Sequence, residues 1–173
     1  MATNPLLSIV IDTNIFVHLK NPPGGKGDTH IHELLASLAT THILCVDGDG
    51  KILGEYEVIL GAMIDNPDKQ DEFEIYFLRY WLKMKEQQIL DKVAPQNLRD
   101  AISRIIIEPS ETVDRCFVET AALSNCDLIS NDDLHIFNRA KDLKKALKKL
   151  GYKNSEILSS LLAKDKFCSK VEN

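Results

Sequence analysis

The 173-residue chain has no uninterrupted apolar run of about 18 residues, so a membrane-spanning helix is excluded by length. Met1 to Ser8 lacks the basic start and long apolar core of a secretory leader. The four cysteines (Cys45, Cys116, Cys126 and Cys168) have no CxxC spacing, which removes zinc-ribbon and thioredoxin-type sites. Three of them sit among apolar residues and read as reduced thiols, pointing to the cytoplasm and away from membranes and oxidising compartments. No GxGxxG, GxxxxGK[ST] or GxSxG is present, so dinucleotide, P-loop and α/β-hydrolase chemistry lack their signatures. Basic charge is not in excess either: 21 Lys and Arg against 26 Asp and Glu leave −5. A protein whose only task is gripping phosphates would be basic. An acidic excess suits carboxylates that hold cations, and equally an ordinary solvated surface. There is no internal repeat and no low-complexity linker, so the chain reads as a single domain over 1–173.

With 44% hydrophobic residues the chain can bury a core, and its patterning alternates strands with helices. Leu6 to Ile11 predicts a buried strand ending at Asp12, followed by a short helix over Ile15 to Lys20 and a Pro/Gly-rich loop over Asn21 to Asp28. Thr29 to Thr41 has helical spacing, and His42 to Val46 is a second strand. A turn at Asp47-Gly48-Asp49-Gly50 leads into a helix over Lys51 to Ile64. Asp71 to Gln88 has helical spacing through Phe73, Tyr76, Phe77, Tyr80, Trp81 and Met84, and Ile89 to Ala94 reads as an edge strand. Leu98 to Ile107 is helical, Ser110 is placed to cap a helix running to Ser124, and Asp127 to Ser130 is a strand. Leu143 to Leu150 is a basic amphipathic helix stopped by Gly151. The expectation is an α/β fold around a mostly parallel sheet, with no motif in the tail after Gly151.

Ligand sites in open parallel sheets form beyond the carboxyl ends of strands, which is where Asp12 and Asp132 or Asp133 fall. Asp12 and Asn14 also suit a turn or helix cap, and periodicity does not decide between the two roles. Asp114 shares a helix face with Phe117, Val118, Ala121 and Ala122, where a carboxylate must be paired, capped or metal-bound. Glu119 is rotated about 140° from it and is expected to meet water. Glu55 and Glu57 both lie at the margin of the apolar stripe of their helix. Asp47-Gly-Asp49-Gly50-Lys51-Ile52 mimics part of an EF-hand loop, but the first and last ligand positions would be Cys45 and Tyr56, which excludes it. His30 and His32 have no third metal ligand at a recognisable spacing, and the histidines read as surface or packing residues.

Together the acids resemble a known family. Ser8-Ile-Val-Ile-Asp12-Thr13-Asn14-Ile15-Phe16 resembles the opening strand and first acidic motif of PIN-domain nucleases. Ile52-Leu-Gly-Glu55-Tyr56-Glu57 resembles their second motif, Asp114-Arg-Cys-Phe-Val-Glu-Thr-Ala121 their third, and Cys126-Asp-Leu-Ile-Ser130-Asn131-Asp132-Asp133-Leu134 their last strand. The matches are in family order and span 8–134, with the basic helix and tail at 139–173 outside them. The segment Asp65 to Ala94 is longer than in compact toxin-type members. The resemblance implies a three-layer PIN-like domain and a metal-dependent nuclease, an endoribonuclease on single-stranded RNA before DNA. It implies Asp12, Glu55, Asp114 and Asp132 as metal-binding and catalytic carboxylates, with Asn14 and Ser130 supporting them. It also selects Glu55 over Glu57. Four convergent carboxylates need cations to stay ionised together, and oxygen ligands select Mg²⁺ or Mn²⁺. Arg139, Lys141, Lys144, Lys145, Lys148 and Lys149 could guide a nucleic-acid backbone, or could be the solvated face of a helix.

The resemblance leaves the biological role open between a toxin with an inhibitory antitoxin, a defence effector and an RNA-processing enzyme. Three other readings stand beside it. The first is a catalytically inactive PIN-like module that binds RNA or a partner protein. The second is an interaction protein that dimerises through the Phe73–Met84 stripe. The third is an α/β phosphatase, which is weakened because Asp12-Thr13-Asn14 has no second aspartate two residues after the first.

Overall fold

The structure, a computed structural model, describes residues 7–20, 29–64, 88–131 and 134–168. Leu7–Ile11 forms strand β1, whose last three residues are buried as a central parallel strand requires. His42–Asp47 is β2, Gln88–Leu90 β3, Asp127–Ile129 β4 and Ile157–Leu158 β5. All adjacent pairs are parallel, in the order β3-β2-β1-β4-β5. The order runs one way from β1 to β3 and reverses at β4, so the topological switch point lies between β1 and β4.

Seven α-helices are described: α1 (Thr13–Lys20), α2 (Thr29–Thr41), α3 (Lys51–Ile64), α4 (Gln96–Ser103), α5 (Thr112–Ser124), α6 (Ala140–Lys149) and α7 (Ser160–Cys168). Right-handed crossovers that reverse direction must place their helices on opposite faces of the sheet. On one face α2 buries Ile31, Leu34, Leu35 and Leu38 and packs against α7. On the other α5 buries Phe117, Val118, Ala121 and Ala122 over β1, β2 and β4. Between them lie Ile9, Val10, Ile11, Leu44, Val46, Leu128 and Ile129, all essentially inaccessible. This is the expected three-layer α/β architecture. No described helix is long and apolar enough to cross a membrane.

The Asp47 turn is a helix cap. Both Asp47 oxygens accept from the first turn of α3, from Lys51 N at 3.0 Å and Ile52 N at 2.8 Å. That explains the EF-hand-like spelling without calcium. Gly48 is required beside it, since a Cβ would lie 2.7 Å from the Leu90 carbonyl oxygen of β3. Gly151, at φ +95°, terminates α6 as expected.

Three expectations are corrected. The helix expected over Leu98 to Ile107 ends at Ser103, because Ile105 and Ile106 turn back onto the Ile102 carbonyl. Arg115 then takes the carbonyls of Ile106, Ile107 and Glu108, which fixes this segment as a loop. Ser110 is not a cap: Pro109–Glu111 is a 3-10 turn, and α5 begins at Thr112. Strand β4 stops at Ile129, one residue before Ser130. The tail contains β5 and α7, which complete the sheet edge and one helical layer. The helix expected over Asp71 to Gln88 and the loop over Asn21 to Asp28 lie outside the described residues, apart from Gln88, which begins β3.

Candidate active site

The β1–β4 register pairs Ile11 with Ile129, so the next residues, Asp12 and Ser130, stand side by side at the switch point. The Asp12 amide donates to the Ile129 carbonyl at 2.9 Å, which extends the ladder by one bond. Asp12 is only 1% exposed. Its Oδ2 accepts from Ser130 Oγ at 2.8 Å and from Asn14 Nδ2 at 2.9 Å. Its Oδ1 accepts from the Asn14 amide at 3.1 Å and from Thr13 Oγ1 at 3.3 Å. These donors are neutral, so they orient the carboxylate without cancelling its charge.

Asn14 joins the two sides of the switch point. Its Nδ2 also lies 3.2 Å from Ser130 Oγ, and its Oδ1 accepts from the Asn131 amide at 3.0 Å. Asn131 in turn accepts from the Ser160 amide and donates to Ser160 Oγ, each at 2.7 Å. His30 Nε2 stands 2.8 Å from the same hydroxyl. A continuous polar chain therefore runs from Asp12 through both strand ends to α7 and α2. Asn131 was not singled out within its motif, and Ser160 was not legible as part of the site because the tail carries no motif.

Chain connectivity places the other acids. Helix α3 follows β2 through a short turn, so its first turns lie at the carboxyl edge of the sheet. Tyr56, fully buried, donates its hydroxyl to the Ile11 carbonyl and packs edge-on against Phe16 at 5.4 Å. Burial and the Asp12 charge hold the Tyr56 phenol well above its ordinary pKa. Glu55, half-buried, is its neighbour in α3, and Glu57 is exposed. Helix α5 runs antiparallel to the strands, which brings its first turn, with half-buried Asp114, to the same edge. Phe117, one turn later, lies 6.2 Å from the Tyr56 ring. Direct contact joins Asp12, Asn14 and Ser130; Glu55 lies in the second turn of α3, Asp114 in the first turn of α5, and Asp132 outside the described residues.

The basic run is spread out rather than gathered. Helix α6 is about 15 Å long at 1.5 Å per residue and runs away from the carboxyl edge. Arg139 precedes it and is engaged by the Ile105 carbonyl at 2.5 Å and by Glu108 at 3.7 Å. Lys144 pairs with Glu156 at 3.0 Å. Lys141, Lys145, Lys148 and Lys149 are exposed, while Leu143 and Leu147 fill the buried face. Glu119 is half-buried instead of facing water, because α4 covers a second face of α5. It lines a cavity of about 470 Å³ with Asp47, Lys51, Arg99 and Arg115, and burial raises its pKa.

A further cluster had no signal in the sequence. Glu108, Glu111 and His135 each present one ligand atom within 4.8 Å of the others, the sole such group of three among the described residues. A donor set of this kind suits a divalent metal.

The fold and site together define a doubly wound parallel α/β protein with an oriented, buried aspartate at its switch point. No protein-family model matches the chain, and no curated protein sequence does. Among solved structures the chain is similar to one in the crystal structure of VapBC2 from Rickettsia felis bound to a DNA fragment from their promoter. The match has 14% identity and a TM-score of 0.43, and it covers 88% of this chain and 98% of that one.

Proposed function

We propose that the chain is a PIN-like, metal-dependent nuclease that hydrolyses phosphodiester bonds, an endoribonuclease acting on single-stranded RNA. The observation that carries the proposal is the Asp12–Ser130–Asn14 constellation: a buried carboxylate held in one orientation at the switch point, where α/β folds bind ligands. The residues fit Mg²⁺ or Mn²⁺, since the carboxylates of Asp12, Glu55 and Asp114 offer oxygen donors, which suit a hard cation. Asp12 would hold the ion, its carboxylate kept in one orientation by Ser130 and Asn14. Glu55, Asp114 and Asp132 are assigned to the same ion by the motif resemblance.

When bound, a divalent ion supplies Lewis acidity at a phosphoryl oxygen and acidifies water for in-line attack. The chain's own part is positional. Ser130 and the Asn14 side chain hold Asp12 Oδ2, while the Asn14 amide and the Thr13 hydroxyl hold Oδ1. Glu55 on α3 and Asp114 on α5, both half-buried, are the acids that the resemblance adds to Asp12. Exposed Lys141 and Lys145 can attract the phosphate backbone in solution. The four cysteines are free, in keeping with a reducing, cytosolic setting. A toxin role would further require an inhibitory antitoxin partner, visible as growth arrest when the chain is expressed alone.

The test is cleavage of labelled single-stranded RNA and DNA with Mn²⁺, Mg²⁺ or EDTA, by wild type, Asp12→Asn and Asp114→Asn, each checked by circular dichroism. Metal-dependent cutting lost in both folded variants is expected, with RNA the better substrate. If no metal gives cutting and both variants bind RNA like wild type, the chain is a non-catalytic binding module.

A further inference from the structure

We infer that Glu108, Glu111 and His135 form a second divalent-cation site, of the zinc class, that staples the segment entering α5 to the segment leaving β4. It is separate from the Asp12 constellation and shares no ligand with it. Glu111 is the central observation. Its side chain is only 6% exposed, its Oε1 meets His135 Nδ1, no nitrogen donor reaches its Oε2, and the partner its carboxyl shares a hydrogen bond with is a second acid, Glu108. A buried carboxylate oxygen without a donor is costly and is rare in folded proteins. Glu108 brings a second carboxylate to the same point, and two neighbouring carboxylates repel unless a proton or a cation lies between them.

The nearby arginine does not fill this role. Arg139 Nη1 approaches the outer carboxylate, Glu108 Oε2, at 3.7 Å and is already committed to the Ile105 carbonyl at 2.5 Å. Around a metal with bonds of about 2.0–2.2 Å, neighbouring ligand atoms stand roughly 3–3.5 Å apart. The observed spread, within 4.8 Å, is therefore closed by small side-chain movements.

The donor set selects the ion. One imidazole nitrogen and two carboxylates favour Zn²⁺ over Mg²⁺, which prefers oxygen and retains its waters. Three protein ligands leave a fourth position for water. The location gives the site its use. Glu111 directly precedes α5, whose first turn carries Asp114, and His135 lies in the turn that follows β4 and Ser130. An ion there ties together two segments that meet at the carboxyl edge of the sheet. This holds whether or not the edge is catalytic.

Zinc titration by calorimetry tests the inference on the full chain, using wild type, Asp12→Asn, Glu111→Gln and His135→Gln. His135 is 34% exposed at its side chain and Glu111→Gln preserves shape, so both variants should fold, with circular dichroism as the check. One equivalent of Zn²⁺ is expected in wild type and in Asp12→Asn. Affinity should fall at least about 100-fold in each triad variant, above the 10–100-fold that follows loss of a ligand's supporting partner. X-ray absorption at the zinc edge should show a single imidazole with oxygen donors and no sulfur. The inference is overturned if wild type binds no zinc. It is also overturned if zinc binds the triad variants as tightly as wild type, which would place the ion on thiols or other histidines, or if binding is lost only in Asp12→Asn.

Discussion

Ser130 is inaccessible to solvent, and its hydroxyl serves two neighbours, donating to Asp12 and lying within reach of Asn14 Nδ2. Removing it leaves a buried carboxylate oxygen with one donor fewer. Ser130→Ala should therefore destabilise the fold by about 1–3 kcal/mol, the usual cost of an orphaned buried partner. In urea unfolding this would appear as a lower midpoint with an unchanged slope. An unchanged midpoint would mean that the remaining donors, Asn14 among them, orient Asp12 without Ser130. Asp12 was legible in the sequence because an apolar strand ends in a charge at a place where charge has to be justified. Glu111 and His135 were not: each is unremarkable in its local pattern, and their chemistry exists only as a contact.

At the level of elements, β2, its turn and α3 act as one unit. Asp47 caps α3, and Gly48 lets β3 approach closely. Gly48→Ala would drive a Cβ into the Leu90 carbonyl oxygen, a backbone atom that cannot rotate away. We expect a loss of about 1–3 kcal/mol, measured by thermal or urea unfolding, as for other overpacked positions. Helix α6 separates its roles by face. Leu147→Ala should cost about 2–5 kcal/mol because it empties a buried position, whereas Lys145→Ala should leave stability within about 0.5 kcal/mol. If Lys145→Ala also leaves RNA affinity and its salt dependence unchanged, the basic face is only a solvated surface. The amphipathic period gave this helix and its buried side. It misplaced Glu119, since an angle on a helical wheel is blind to a second helix packing from the flank.

The molecule as a whole should respond to acid through His42. It is 6% exposed, stacks edge-on against the Phe167 ring at 4.7 Å, and lies 2.7 Å from Thr41 Oγ1. Burial lowers its pKa, with Asp127 opposing the shift and Lys166 adding to it. A histidine depressed in the folded state binds its proton more readily when unfolded. Its stability contribution is therefore complete above the unfolded value of about 6.5 and is lost as pH falls from there through the folded pKa. Denaturation midpoints at pH 7.5, 6.5 and 5.5 should fall on acidification, and His42→Phe should flatten the part of that slope above pH 5.5. A slope unchanged by the substitution would assign acid sensitivity to other groups.

The sequence by itself determined the kinds of element and their buried faces, because strand and helix periods are local and are written within a few turns of chain. It also determined the inventory of acids at strand and helix ends. Only the tertiary structure decided which of these meet. Asp12 and Ser130, 118 positions apart, become partners because β4 pairs with β1 after the sheet reverses direction. Glu111 meets His135 because the segments flanking α5 and β4 return to one edge. The tail became β5 and α7 for the same reason: a two-residue strand carries no pattern of its own, and its place is fixed by the unpaired edge of β4 that it covers.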